Sequence, residues 1–270
     1  MHTSYRTGSI ASRAEILDQQ LRKKAIGRGI NFIAHSMGGL DCRHLISRVK
    51  PMEYAPLSLT TISTPHRGSP FMDWCADNIG LGKLAKDGKE AARRASDSAA
   101  RVASETEAKK KVDSGPFSSL SSLPSSFTTL LLSILDSPAY ANLTSTYLNN
   151  VFNPVTPNNP NVKYYSVAGR MPDKVNIWHP FWLPQLVLDG FEDNERTKMK
   201  EIWESARRHS PVRSYAETPL WARNEEWGND GLVTIQSAKW GEFLGVMEGC
   251  DRECELLCYS LIFDRCQTGR

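Results

Sequence analysis

The segment Ile30-Asn-Phe-Ile-Ala-His-Ser-Met-Gly-Gly-Leu40 restricts the fold more than any other part of the chain. Ile30–Ala34 is a short apolar run that reads as a buried strand, and apolar spacing from Leu40 to about Val49 reads as a helix. The turn between them is centred on Ser36. A strand that passes so directly into a helix leaves the residue at the apex with its side chain at the sheet edge. The positions two before and two after the apex must be small, because the two backbones pass closely there. Here they are Ala34 and Gly38, with alanine in place of the first glycine of G-x-S-x-G. The backbone N–H of Met37, at the start of the helix, is placed to meet a developing negative charge. His35 adjoins the serine but points differently along the chain, and His44 falls on a packed or solvated face of the helix.

Pro51 and Pro56 bracket a connection to a second strand candidate, Leu57–Ile62. Strand, helix and strand in this rhythm predict a βαβ unit of a parallel sheet. Upstream, Ser12-Arg-Ala-Glu15 has the form of a capping box, and Gly27 and Gly29 end the helix it opens. A third strand is expected over Val162–Ala168, and helices over Phe127–Leu135 and Glu192–Arg208. Asn229–Thr234 turns into a last short strand or helix. Trp178–Pro184 is aromatic and proline-rich, and either lines an apolar cleft or covers the sheet edge.

The 270 residues suffice for one domain with an inserted subregion, residues 1–270. Residues 82–126 are rich in Ala, charged residues and then Ser and Pro, and read as a low-complexity insertion or linker. A formal charge of +3 is a near-balance that implies no nucleic-acid partner. No run has the apolar core of a signal peptide or the length of a membrane span, so we expect an intracellular protein without a transmembrane segment. The Asn142-Leu-Thr144 sequon carries no weight without a secretory route. Cys250, Cys254 and Cys258 are spaced C-x3-C-x3-C, which matches no usual zinc pattern, so no metal site is expected.

The strings AHSMGGLDCRHLIS and TTISTPHRGSPFMDW, together with YYSVAG and Asn229-Asp-Gly-Leu-Val233, resemble bacterial and fungal triacylglycerol lipases. WHPFWLPQLVLDG is similar in flavour to a fungal lipase-like group. The resemblance implies an α/β-hydrolase fold, a mostly parallel sheet with helices on both faces and a lid-like inserted region, here residues 127–161. It implies a carboxylic-ester hydrolase that works through an acyl-enzyme on Ser36. Asp230 would orient the base, and the Met37 N–H would be one oxyanion donor. The substrate would be an acyl-ester lipid, with peripheral contact to a lipid surface. No cofactor is required for the chemistry; a structural calcium ion is compatible with the family, but its ligands are not assignable.

Two departures accompany the resemblance. No histidine follows Asp230, where a Ser, Asp, His order would place it. Past GVMEGCD the chain continues with Arg252, which stays protonated and cannot act as a base. Residues 252–270 form an atypical tail. Upstream, one helix precedes the nucleophile strand, and the loop expected to supply a second oxyanion donor is absent. We therefore expect a chain incomplete at both ends, with His209 and His179 as substitute bases. The alternative is a catalytically inactive fragment that binds lipid or protein.

Overall fold

The computed structural model describes residues 8–78, 140–172, 175–176, 178–209 and 218–250. The first helix, α1, runs Ile10–Lys24, and its N-cap is Ser9 rather than Ser12. The Ser9 Oγ accepts the Ser12 N–H at 3.2 Å, so the cap lies three residues before the box read from the sequence. Arg22, Lys23 and Lys24 occupy the last turn, where cations oppose the negative end of the helix dipole. The helix stops at Ala25, and Gly27 turns the chain with φ 70° into strand β1, Gly29–His35.

Helix α2, Met37–His44, follows β1 after the single residue Ser36 and widens into a π-turn over Leu45–Val49. Strand β2 is Ala55–Ile62 and helix α3 is Pro70–Asn78. A run of short helical turns spans 140–155. Then come β3, Lys163–Arg170, and a long helix, α4, Trp182–His209. The short helix α5, Ile235–Ala238, precedes β4, Glu242–Glu248. Helix α4 begins ten residues before the helix expected from the sequence. Pro184 lies in its first turn, where a missing N–H costs no helical hydrogen bond.

The four strands pair in the order β1-β2-β3-β4, all parallel. His35 lies beside Ile62, so β1 and β2 end together, while Ile62 lies beside Val167 and β3 continues to Arg170. Helices pack on both faces and enclose two apolar clusters. One gathers Ala14, Phe32, Ala34, Leu45 and Leu59 under α1 and α2. The other joins Phe71, Phe152, Ala168, Phe181, Leu188 and Ile235. Burial of such side chains is worth roughly 1.5–3 kcal/mol each before entropy is counted. Arg13 of α1 grips Asp41 of α2 with two hydrogen bonds of 2.9 and 2.7 Å and fixes the helices over β1.

The helix expected over Phe127–Leu135, residues 82–126, the tail 252–270, Cys254 and Cys258 lie outside the described residues, as does the side chain of His209. Among the described residues, no helix is long and apolar enough to cross a membrane, and no cluster of metal-ligating side chains is present.

Candidate active site

Ser36 stands at the carboxyl end of β1 with φ 56° and ψ −134°. That backbone region is one that side-chain-bearing residues rarely adopt, and it stores roughly 1–3 kcal/mol of strain. The surroundings hold it there. The Ser36 N–H donates to the Ile62 carbonyl at 2.9 Å, and the Ser36 carbonyl accepts the Thr64 hydroxyl at 2.7 Å and the Gly39 N–H at 3.1 Å. Met37 is the first residue of α2, so its N–H has no acceptor within the helix.

Ala34 and Gly38 lie across this turn, where a Cβ on Gly38 would sit 3.8 Å from the Ala34 Cβ, an ordinary contact. The tighter position is Gly39. A Cβ there would fall 2.2 Å from the Thr64 Oγ1 and 2.9 Å from the Thr61 Cγ2. The second glycine of the pair is thus the more tightly constrained one, and the five-residue motif alone does not point to it.

Asp230 is fully buried in the turn that follows β3 in space. The Met171 N–H, just past β3, donates to the Asn229 carbonyl at 2.7 Å. One Asp230 oxygen accepts the N–H groups of Leu232 and Val233 at 2.8 and 2.6 Å. Gly231 takes φ 91°, and a Cβ there would strike Met171 and Phe181. The turn is tied to the start of α3 as well: the Ser69 hydroxyl donates to the Leu232 carbonyl at 2.6 Å. Ser36 and Asp230 therefore both lie at the carboxyl ends of parallel strands, where open α/β sheets place their sites.

The aromatic segment before α4 divides. Phe181 is buried against Gly231, beside Asp230, whereas Trp178 is 70% exposed. His179 caps the start of α4, and its Nδ1 accepts the Phe181 N–H at 3.2 Å. A neutral ring bonded in this way carries its proton on Nε2. To serve as a base next to a carboxylate it would have to give up that bond. His44 stacks on Phe152 with ring centroids 6.4 Å apart, and burial lowers its pKa.

Sequence reasoning gave no role to His66, which the fold buries completely. Arg43 Nη1 donates to its Nδ1 at 3.3 Å, so its Nε2 donates to the Thr61 hydroxyl at 3.0 Å, and Thr61 passes the chain on to the Tyr165 carbonyl. Its ring stacks on Trp240 at 5.1 Å. Burial, then the Arg43 and Arg67 charges, hold this imidazole well below its ordinary pKa, so it is a neutral structural group. Arg43 is itself 2% exposed, lies 3.6 Å from the Trp240 ring centre, and is lowered by burial to about 9.

Beside the Asp230 turn, α4 and residues 224–229 form a cleft of about 490 Å³. Arg170, Asp189, Glu192 and Trp227 are among its walls. Burial, chiefly, raises the Glu192 carboxyl to about 7.

A strained serine between strand and helix, on a parallel sheet covered by helices on both faces, defines an α/β-hydrolase architecture. In structure the chain is similar to the mature form of the Bacillus licheniformis lipase BlEst2. The TM-score is 0.54 at 15% identity, over 95% of this chain and 74% of that one. The propeptide form of the same lipase matches with a TM-score of 0.50 at 15% identity, over 91% of this chain and 37% of that one. In sequence it is similar to triacylglycerol lipase 2 of Saccharomyces cerevisiae, 32% identical over 252 residues. That alignment takes in 90% of this chain and 53% of the yeast protein, so the chain spans about half the length of that relative. A triacylglycerol lipase of Burkholderia plantarii is 50% identical over 48 residues, 18% of this chain and 13% of that protein. No family model matches. What these solved structures share with the chain is the α/β-hydrolase fold.

Proposed function

We propose that this chain is a carboxylic-ester hydrolase of the triacylglycerol lipase type that acts through an acyl-enzyme on Ser36. The observation that carries the reading is the strained backbone of Ser36, held at the strand end by Ile62 and Thr64. Strain of this kind collects at sites of chemistry. The names of the yeast and Burkholderia relatives support an acyl-ester lipid as the substrate class, and the longer match to the yeast protein favours a fungal type of lipase.

The chemistry follows from the positions. The Ser36 Oγ attacks the ester carbonyl while a base takes its proton. The Met37 N–H donates to the oxyanion of the tetrahedral intermediate, a contact worth about 3 kcal/mol in such sites. Collapse breaks the C–O bond, the alcohol leaves with the proton from the base, and the acyl group stays on Ser36. Water then repeats the sequence and frees the acid. Asp230 orients the base. His179 and His209 are the two histidines proposed for that role, and His179 would act only after releasing Phe181. No cofactor takes part in these steps.

Hydrolysis of p-nitrophenyl esters of graded acyl length tests the reading. Ser36→Ala is expected to abolish turnover, and Asp230→Asn to lower it on the order of a thousandfold with KM little changed. Loss in His179→Ala or His209→Ala identifies the base. Turnover that persists in Ser36→Ala refutes the assignment. A second reading is an inactive lipid- or protein-binding member; residues 231–270 hold no histidine. A folded chain that binds acyl-ester vesicles without hydrolysing them would establish it.

A further inference from the structure

The turn that carries Asp230 is gripped from one side by two acids of α4. The Glu192 Oε2 accepts the Gly228 N–H at 3.0 Å. The Asp189 Oδ1 accepts the Asn229 Nδ2 at 2.9 Å, and the Asn229 Oδ1 in turn accepts the Gly231 N–H at 3.1 Å. These bonds bracket Asp230 on both sides. Spacing of three residues puts the two acids on one helix face, toward the turn. Gly228 and Gly231 hold φ of 126° and 91°, conformations closed to most residues but open to glycine, whose loose backbone these bonds pin from outside.

Glu192 is an expensive way to obtain one hydrogen bond. It is 6% exposed, and its Oε1 is buried with no hydrogen-bond partner among the described residues. A neutral glutamine or an apolar side chain would fill the space at lower cost. The groups around it are Asp189, Asp193 and Arg196 of α4, and Arg170 at the end of β3, which is paired with Glu248 of β4.

We propose that Glu192 is a positioning residue for Asp230, with Asp189 completing the hold through Asn229. The catalytic consequence rests on the hydrolase reading above; the hold on the turn does not. Because Glu192 changes charge near neutral pH, the grip on Gly228 changes with it, a charged acceptor being the stronger one.

The test is amide NMR of the full 270-residue chain together with fluorophosphonate labelling at Ser36. In the parent, the Gly228 amide should follow a titration near pH 7, and Glu192→Gln should abolish it. Glu192→Ala and Asp189→Ala should shift the Leu232 and Val233 amides, which sit on the Asp230 carboxylate, and speed their hydrogen exchange about tenfold. At pH 4, where Glu192 is neutral, Glu192→Gln and Asp189→Asn keep an acceptor and should stay within about twofold of the parent. Unmoved Leu232 and Val233 amides in a folded Glu192→Ala variant overturn the proposal. Amides that respond in a parent that takes no label leave the hold standing and sink the hydrolase reading instead.

Discussion

Ser36 adopts a backbone that a glycine would accept without strain, and this separates stability from chemistry at one residue. Ser36→Gly is expected to raise the unfolding free energy by about 1 kcal/mol while removing all covalent labelling, as judged by urea melts beside probe incorporation. A variant less stable than the parent would show that the serine side chain supports the turn. Gly38 and Gly39 offer a second contrast. Gly38→Ala adds an ordinary contact and should cost little. Gly39→Ala drives a methyl into Thr64, which holds the Ser36 carbonyl, and should cost about 1–3 kcal/mol and depress labelling. Equal melting temperatures for the two variants would contradict the geometry. The sequence motif led to Gly38 because motifs count positions. The tighter constraint at Gly39 comes from Thr64, twenty-five residues on, which no local pattern reveals.

Among the elements, α1 and α2 depend on a bidentate ion pair that is largely out of water. Removal of Arg13 leaves Asp41 buried without its cation, and burial already raises that carboxyl. Arg13→Ala should therefore destabilise by about 3–5 kcal/mol in denaturant melts, far more than an exposed pair. A loss below about 1 kcal/mol would mean that the pair adds little. Helix α4 carries the pH-dependent element. Glu192 titrates at about 7 in the fold instead of its ordinary 4.5. Its contribution to stability is complete below the unfolded value and is lost as pH rises through the folded one. Glu192→Gln should match the parent near pH 4 and exceed it at pH 8 by on the order of 2–3 kcal/mol. A difference independent of pH would refute the assignment. The strands β1, β2 and β3 were legible because apolar runs between glycines and prolines leave few other choices. The first ten residues of α4 were not, because Trp178–Pro184 carries two prolines and reads as loop, although Pro184 fits a first helical turn. β4 was also missed: Glu242 and Glu248 end it, Gly245 interrupts it, and its residues are at most half-buried, so the apolar signal is weak. The Glu192–Gly228 contact joins residues far apart in sequence and is invisible without the fold.

At the scale of the whole molecule, a parallel sheet places Ser36 and Asp230 at the same carboxyl edge, and two apolar clusters fix the helices that support them. The sequence resemblance named both residues, because each sits in a string whose turn chemistry is distinctive. For the proposed hydrolase, the base is the position that sequence left open, and His66 shows why composition alone does not fill it: a buried imidazole between Arg43 and Thr61 is spent on structure. The measurement that bears most directly on the account is reaction of the folded chain with a fluorophosphonate, with the adduct mapped by peptide mass spectrometry. The account predicts one adduct, on the peptide that contains Ser36, absent from Ser36→Ala and weakened in Asp230→Asn. A folded chain that takes no label, or takes it on another serine, would contradict it.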